Sequence, residues 1–251
     1  MKNTLKNLHQ AAQYLAAIGI SFIEKKSDDS HTNVGWNKIE NRMETHLFNT
    51  DCQLALNLTT QNLEWLKNKR VTAALHLNKT AHKEILSWIA KQAKENNLAN
   101  DYSYSFHYEL PYDEMTADDA YVFNSADLKT ISAVMTKAQN VFEAFLATNN
   151  LESPIRIWPH HFDLGIYASL KAENVSMGAG LAIPDSLVDD FYFYASGYNS
   201  AGAIETKSFG AMNFGEFRAD WNGATLASSV VENDQVIEFL NEAKAQFLAS
   251  A

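Results

Sequence analysis

A chain of 251 residues, 46% of them hydrophobic, can bury a full-sized core as one large domain or two small ones. Its net charge of −10 repels polyanions and no Lys/Arg-rich run offsets it, so nucleic acid is excluded as an expected partner. No run approaches the ~20 apolar residues of a bilayer crossing, the first residues read as an amphipathic helix rather than a signal peptide, and the lone Cys52 closes no internal disulfide, so a cytoplasmic setting away from membranes is expected.

Leu5, Leu8, Ala12, Leu15 and Ile18 form one helical stripe, and Gly19 is expected to stop that helix in a left-handed conformation. Four strand-like runs follow the polar loop KKSDDS: HTNVGWNKI, METHLF, QLALNL and RVTAALHL. Thr80 is the expected cap of a second helix, striped by Ile85, Leu86, Ile89 and Ala93. In YSYSFHYEL, Tyr102, Tyr104, Phe106 and Tyr108 alternate with His107 and Glu109 as in a half-buried strand, and the acidic PYDEMTADDA reads as its loop. Ser125 is expected to cap the longest helix, which runs to about Ala147 with Leu128, Ile131, Met135, Ala138, Phe142 and Phe145 inward.

Next comes IRIWPHHFDLGIYASL, the densest chemistry in the chain. Ile155 and Ile157 lead a strand to Trp158 and Pro159, and a second alternating run then puts His160, Phe162, Leu164 and Ile166 on one face and His161, Asp163, Gly165 and Tyr167 on the other. Proline inside a strand removes a ladder donor and marks an edge, a bulge or a break. A turn near Ala172 to Asn174, the strands VSMGAGLAI and FYFYASGY, a loop with repeated glycines between Gly197 and Gly223, and ATLASSVV complete the run, and Asn233 is expected to cap a last helix with Val236, Phe239, Leu240, Ala243 and Phe247 inward. The glycine-containing loop reads either as a lid weighted by Phe209, Phe214, Phe217 and Trp221 or as an irregular layer packed on the sheet.

Helix, strands and helix thus occur twice, and HTNVG at His31 and HFDLG at His161 fall at equivalent places. The expected fold is α+β, with two similar α-β4-α halves at residues 1–99 and 100–251. Each half would be an antiparallel sheet with helices packed on one face, an order resembling TATA-binding-protein-like and helix-grip folds in architecture alone.

His161 and Asp163, two apart on a strand, would hold their Cβ atoms ~7 Å apart on one side. An imidazole and a carboxylate so placed suit a divalent metal such as zinc, manganese or nickel, with His31 and His107 as further candidate ligands and Glu109 or Glu216 as a base. The plainer reading is that Asp163 accepts a hydrogen bond and fixes a partly buried imidazole. His160, on the apolar face, reads as a satisfied core group. No HExxH, GxSxG or phosphate-binding glycine motif is present.

The stretch SPIRIWPHHFDLGIYASL, with GAGLAIPDS and FYFYASGY after it, resembles an uncharacterised bacterial family whose members carry a Trp-Pro-His-His-Phe-Asp strand followed by an aromatic strand. YELPYDEM ahead of the long helix resembles that family's middle, and the first helix before a histidine-bearing strand resembles its beginning. The resemblance spans most of the chain and implies no activity, and the glycine-containing region here is less proline-rich than the family pattern. The leading expectation is a cleft at the WPHHFD strand that binds a small uncharged or cationic molecule through Trp158, His160, His161, Asp163, Tyr167 and Tyr194. A metal-assisted hydrolase using His161 and Asp163, and an interaction protein whose motif is structural, are the alternatives. The sequence leaves the oligomeric state open.

Overall fold

Four α-helices and two antiparallel sheets make this an α+β protein over the residues that the computed structural model describes, 1–170 and 174–250. Its residues divide into two units, Met1–Ala133 with Ile157–Phe162, and Val134–Arg156 with Asp163–Ala251. None of the described helices is long and apolar enough to cross a membrane.

In the first unit α1 (Lys2–Phe22) turns its predicted stripe inward, with Leu8, Leu15 and Ile18 inaccessible or nearly so. It also buries His9, Gln13 and Tyr14, polar groups that need partners within the fold. Gly19 lies inside α1 rather than at its end, because what requires glycine there is a close approach: a Cβ would sit 2.3 Å from the His31 carbonyl oxygen and 2.9 Å from Thr32 Cα. Gly19→Ala is accordingly expected to destabilise by about 1–3 kcal/mol through overpacking against backbone. A urea midpoint unchanged from the parent would show that the His31 segment simply moves aside.

The first sheet is a meander in chain order, β1 (Gly35–Asn37), β2 (Arg42–Glu44), β3 (Cys52–Asn57), β4 (Asn62–Lys67) and β5 (Arg70–His76). Its extra strand is β4, joined to β5 through Asn68 and Lys69, both left-handed at φ 49° and 63°, as a two-residue hairpin turn requires. The second helix, α2 (His82–Glu95), is not capped by Thr80, whose hydroxyl donates to the His76 carbonyl. Its first amides, those of His82 and Lys83, instead donate to the carbonyls of Asp119 and Ala117 at 2.8 and 3.0 Å.

The long helix α3 (Ser125–Asn149) begins in the first unit and ends in the second. Its cap is Asn124, whose Oδ1 accepts from the amides of Ala126 and Asp127, one residue earlier than the sequence suggested. The short β6 (Arg156–Trp158) carries the chain back, and within the first unit Val34 and Ile157 exchange backbone hydrogen bonds of 3.0 and 2.8 Å.

In the second unit β7 (Asp163–Ser169), β8 (Ser176–Ala182), β9 (Tyr192–Asn199), β10 (Gly202–Ala203), β11 (Glu216–Phe217) and β12 (Ala224–Ala227) pair antiparallel in the order β11-β12-β9-β8-β7, with β10 on β9. Their inner face, with Ile166, Ala179, Phe193 and Ala195, is buried, as is the stripe of α4 (Asn233–Ala249) with Phe239, Leu240 and Phe247. Gly197 of β9 leaves space for the Phe247 ring, which a Cβ would approach to 2.4 Å. The cap of α4 is Glu232, again one residue before the expected position. The glycine-containing loop packs on α4, with Phe209 against Phe217 and Phe247, and with Gln246 accepting the Gly210 amide hydrogen at 2.7 Å. Of the turn expected near Ala172, residues 172–173 lie outside the described residues, and Asn174 is left-handed at φ 65°.

Candidate functional site

Residues 101–115 form no strand, although their alternation is real: Tyr102, Tyr104, Phe106, Tyr108, Leu110 and Tyr112 are half-buried and the residues between them exposed. The surface they alternate against is a helix. The segment runs antiparallel along α1, from a Ser103 amide donating to Ser21 Oγ, through Tyr102 Oη on the Tyr14 carbonyl and Tyr108 Oη on Gln13 Oε1 at 2.8 Å, to the Asp113 carbonyl receiving Gln10 Nε2. A helix offers no ladder, so side-chain hydroxyls and ring contacts replace it.

Next to this strap lies a cavity of about 410 Å³ within the first unit. Its walls are rings, among them Tyr104, Phe106, Tyr108, Tyr112 and the imidazole of His82, and Glu109, Asp113 and Glu114 add three carboxylates. No lysine or arginine occurs among its described lining residues. A second cavity of about 750 Å³ shares Gln10 and residues 113–115 with it.

His82 sits at the start of α2, is 6% exposed, and lies edge-on to Tyr104 with ring centroids 4.9 Å apart. Burial lowers its imidazole below the ordinary histidine range, an effect only partly opposed by Asp119, so it is neutral at pH 7. The Tyr104, Tyr108 and Tyr112 hydroxyls are raised above the usual phenol range by burial, so they stay protonated. The walls therefore carry no charge of their own, and the carboxylates set the sign of the field. Lys6 already places its ammonium 5.5 Å from the centroid of the Tyr112 ring.

The WPHHF stretch abuts the same strap. After Trp158, which ends β6, it is a turn rather than a strand: the Phe162 amide donates to the Trp158 carbonyl at 2.7 Å, and Phe162 is left-handed at φ 59°. The Pro159 carbonyl accepts from His9 Nε2 at 2.7 Å and from Gln13 Nε2 at 2.8 Å, which fixes the proton of His9 on Nε2. His9 stacks on Phe162 at 5.0 Å and contacts Tyr112 edge-on, while His160 lies 5.7 Å from the Tyr108 ring. Burial pushes the His9 imidazole down to about 4.

Of the residues singled out in the sequence, Trp158, His160 and His161 belong to the first unit, and Asp163, Tyr167 and Tyr194 to the second. The alternation expected to join His161 to Asp163 is broken by the turn: His161 is exposed within it, while Asp163 is buried at the start of β7 and accepts a hydrogen bond from Tyr194 Oη. On β7 itself the expected face holds, with Tyr167 exposed and bonded to Ser176 Oγ. His31 is buried with its Nδ1 receiving the Lys26 amide, and His107 pairs with Asp29 at 2.9 Å. Among the described residues, no three or more His, Cys, Asp or Glu side chains form a group that could hold a metal ion. Sequence reasoning missed His82, Tyr14, Tyr112 and Met115. The one available signal was the aromatic alternation of 102–108 running directly into an acidic loop.

No family model, no curated protein and no solved structure matches the chain.

Proposed function

We propose that the protein binds a small cationic molecule in the 410 Å³ cavity of its first unit. One observation carries this reading: a ligand-sized cavity walled by neutral aromatic rings, rimmed by Glu109, Asp113 and Glu114, with no lysine or arginine among its described lining residues. Ring faces present negative quadrupoles to a cation and the carboxylates add full charges, so both favour the same ligand sign. The WPHHF turn then has a supporting part, because His9 and Gln13 clasp its carbonyl while His9 and His160 back Tyr112 and Tyr108.

Calorimetric titration with benzylammonium and with uncharged benzyl alcohol tests the reading. The cation is expected to bind about tenfold more tightly or better, and the triple change Glu109→Gln, Asp113→Asn and Glu114→Gln to remove most of that preference. Equal affinity for the two probes, or none for either, would exclude a cation site.

We also infer that the helix–sheet–helix order in each part reflects an internal duplication of an α-β4-α-like unit. It is supported by the two antiparallel sheets, each following one helix and preceding another in the chain, and by His31 and His161 both lying in a turn just before a strand.

A further inference from the structure

Behind the cavity wall, buried polar side chains continue inward from His82. Tyr14 Oη lies 2.6 Å from His82 Nδ1 and 3.2 Å from Tyr121 Oη, and Tyr121 Oη lies 2.9 Å from Met115 Sδ. Tyr14 and Tyr121 are essentially inaccessible, and burial holds both phenols well above their usual range, so neither ionises. Among the described residues no protein group takes the other ring nitrogen, Nε2, of this imidazole, which is more than nine-tenths buried and faces the cavity it lines.

The two ends of this chain differ. A thioether accepts and cannot donate, whereas a neutral imidazole does either, according to tautomer. Two neutral arrangements are thus open to the network. In one, Tyr121 donates to Tyr14, Tyr14 donates to Nδ1, and Nε2 carries a hydrogen. In the other, Nδ1–H donates to Tyr14, Tyr14 to Tyr121 and Tyr121 to the Met115 sulfur, which leaves Nε2 a bare acceptor. The second makes one more hydrogen bond within the protein, and it is Met115 at the far end that permits it.

We propose that His82 Nε2 reads the ligand, accepting the N–H of a protonated amine whose charge is held by the ring walls and the acidic rim. This rests on the cationic-ligand reading above and narrows it to ammonium groups that keep at least one hydrogen: primary, secondary and tertiary amines, against quaternary ones. Aromatic walls alone do not discriminate in this way, because a ring face attracts a trimethylammonium as readily as an ammonium. The imidazole's neutrality is part of the device, since a charged His82 would repel the ligand.

The test is a titration of the full chain with benzylammonium, benzyldimethylammonium and benzyltrimethylammonium, which share charge and ring and of which the last alone lacks an N–H. The unmodified protein is expected to bind the first two within a few-fold of each other and the third about tenfold more weakly or worse, the scale of a hydrogen bond to a charged group. His82→Leu, close in volume, is expected to bind all three alike, and Tyr14→Phe, which frees the tautomer, to reduce the discrimination without abolishing it. Equal binding of the quaternary probe by the unmodified protein overturns the His82 assignment and leaves the cation site standing, and discrimination that survives in His82→Leu overturns it too. Failure of all three probes to bind removes the cation site and this inference with it. The unmodified chain alone supplies the first comparison, so the test does not depend on the variants folding.

Discussion

Arg42→Met is expected to destabilise the first unit by about 3–5 kcal/mol, the usual cost of removing one partner from a buried ion pair. Arg42 of β2 donates from Nε to Glu44 Oε1 at 2.6 Å and from Nη1 to Glu64 Oε2 at 3.3 Å, and the Arg42 and Glu64 side chains are only 9% and 8% exposed. The meander brings them together: Glu44 of β2, Ala55 of β3 and Glu64 of β4 are directly cross-strand, so the two carboxylates share a face with the guanidinium beside them. Without Arg42, Glu64 is left buried with no counter-charge near a second carboxylate. Such a variant should regain stability as the pH falls, because protonation then relieves the repulsion. Arg42→Met combined with Glu64→Leu should recover most of the loss. Urea unfolding reads all three, and a single-variant loss below about 1 kcal/mol would mean that water reaches the pair.

Acid should unfold the protein earlier than its carboxylates alone require, and His9 should be the largest single reason. The folded chain holds this imidazole at about 4, against 6.5 for an unperturbed histidine, chiefly through burial, with smaller contributions from His161 and His160, while the Pro159 carbonyl opposes the shift. The folded value is depressed, so the stability is fully present above pH 6.5. It declines as the pH falls from there, where the unfolded chain takes up a proton that the native one refuses, and the loss is complete near pH 4. At about 1.4 kcal/mol per pKa unit this amounts to roughly 3 kcal/mol. Burial lowers His31, His82 and His160 too, which steepens the same limb. His9→Leu should flatten it, at a cost of about 1 kcal/mol at pH 8 for the lost hydrogen bond. The Pro159 carbonyl keeps Gln13 Nε2 at 2.8 Å, so no buried acceptor is orphaned. Unfolding free energies at pH 8 and pH 5 give the comparison, and an unchanged difference between them would clear His9.

Particular elements show where residue order was informative and where it was not. The stripes of α1 and α4 were legible because a period of 3.6 admits one buried face, and Leu8, Leu15, Phe239 and Phe247 all lie on it. The caps of α3 and α4 were misplaced by one residue, since Asn124 beside Ser125 and Glu232 beside Asn233 are neighbouring side chains able to accept the same amides. The start of α2 went further astray: its amides are met by carbonyls 35 or so residues away, at Ala117 and Asp119, and no local signal encodes that. β4 was passed over because its turn uses Asn-Lys in place of Asn-Gly and its pattern slips at a bulge between Trp65 and Leu66. Proline after Trp158 announced a break, but whether the chain resumed as strand at once or turned first depended on Phe162 adopting a left-handed φ, which local sequence disfavours and the clasp of α1 on Pro159 accompanies.

Periodicity and composition by themselves determined that this acidic chain builds helices and antiparallel sheets, and which face of each is apolar, because burying a hydrophobic stripe requires only that neighbours in sequence share a side. Tertiary structure alone decided that an alternating aromatic run lies along a helix instead of in a sheet, and that Tyr14, His82, Met115 and Tyr121 meet behind one cavity. Of those four, His82 and Met115 line the cavity while Tyr14 and Tyr121 link them, partners separated by up to 107 residues, and directional hydrogen bonds between such distant groups exist only after packing has fixed their geometry.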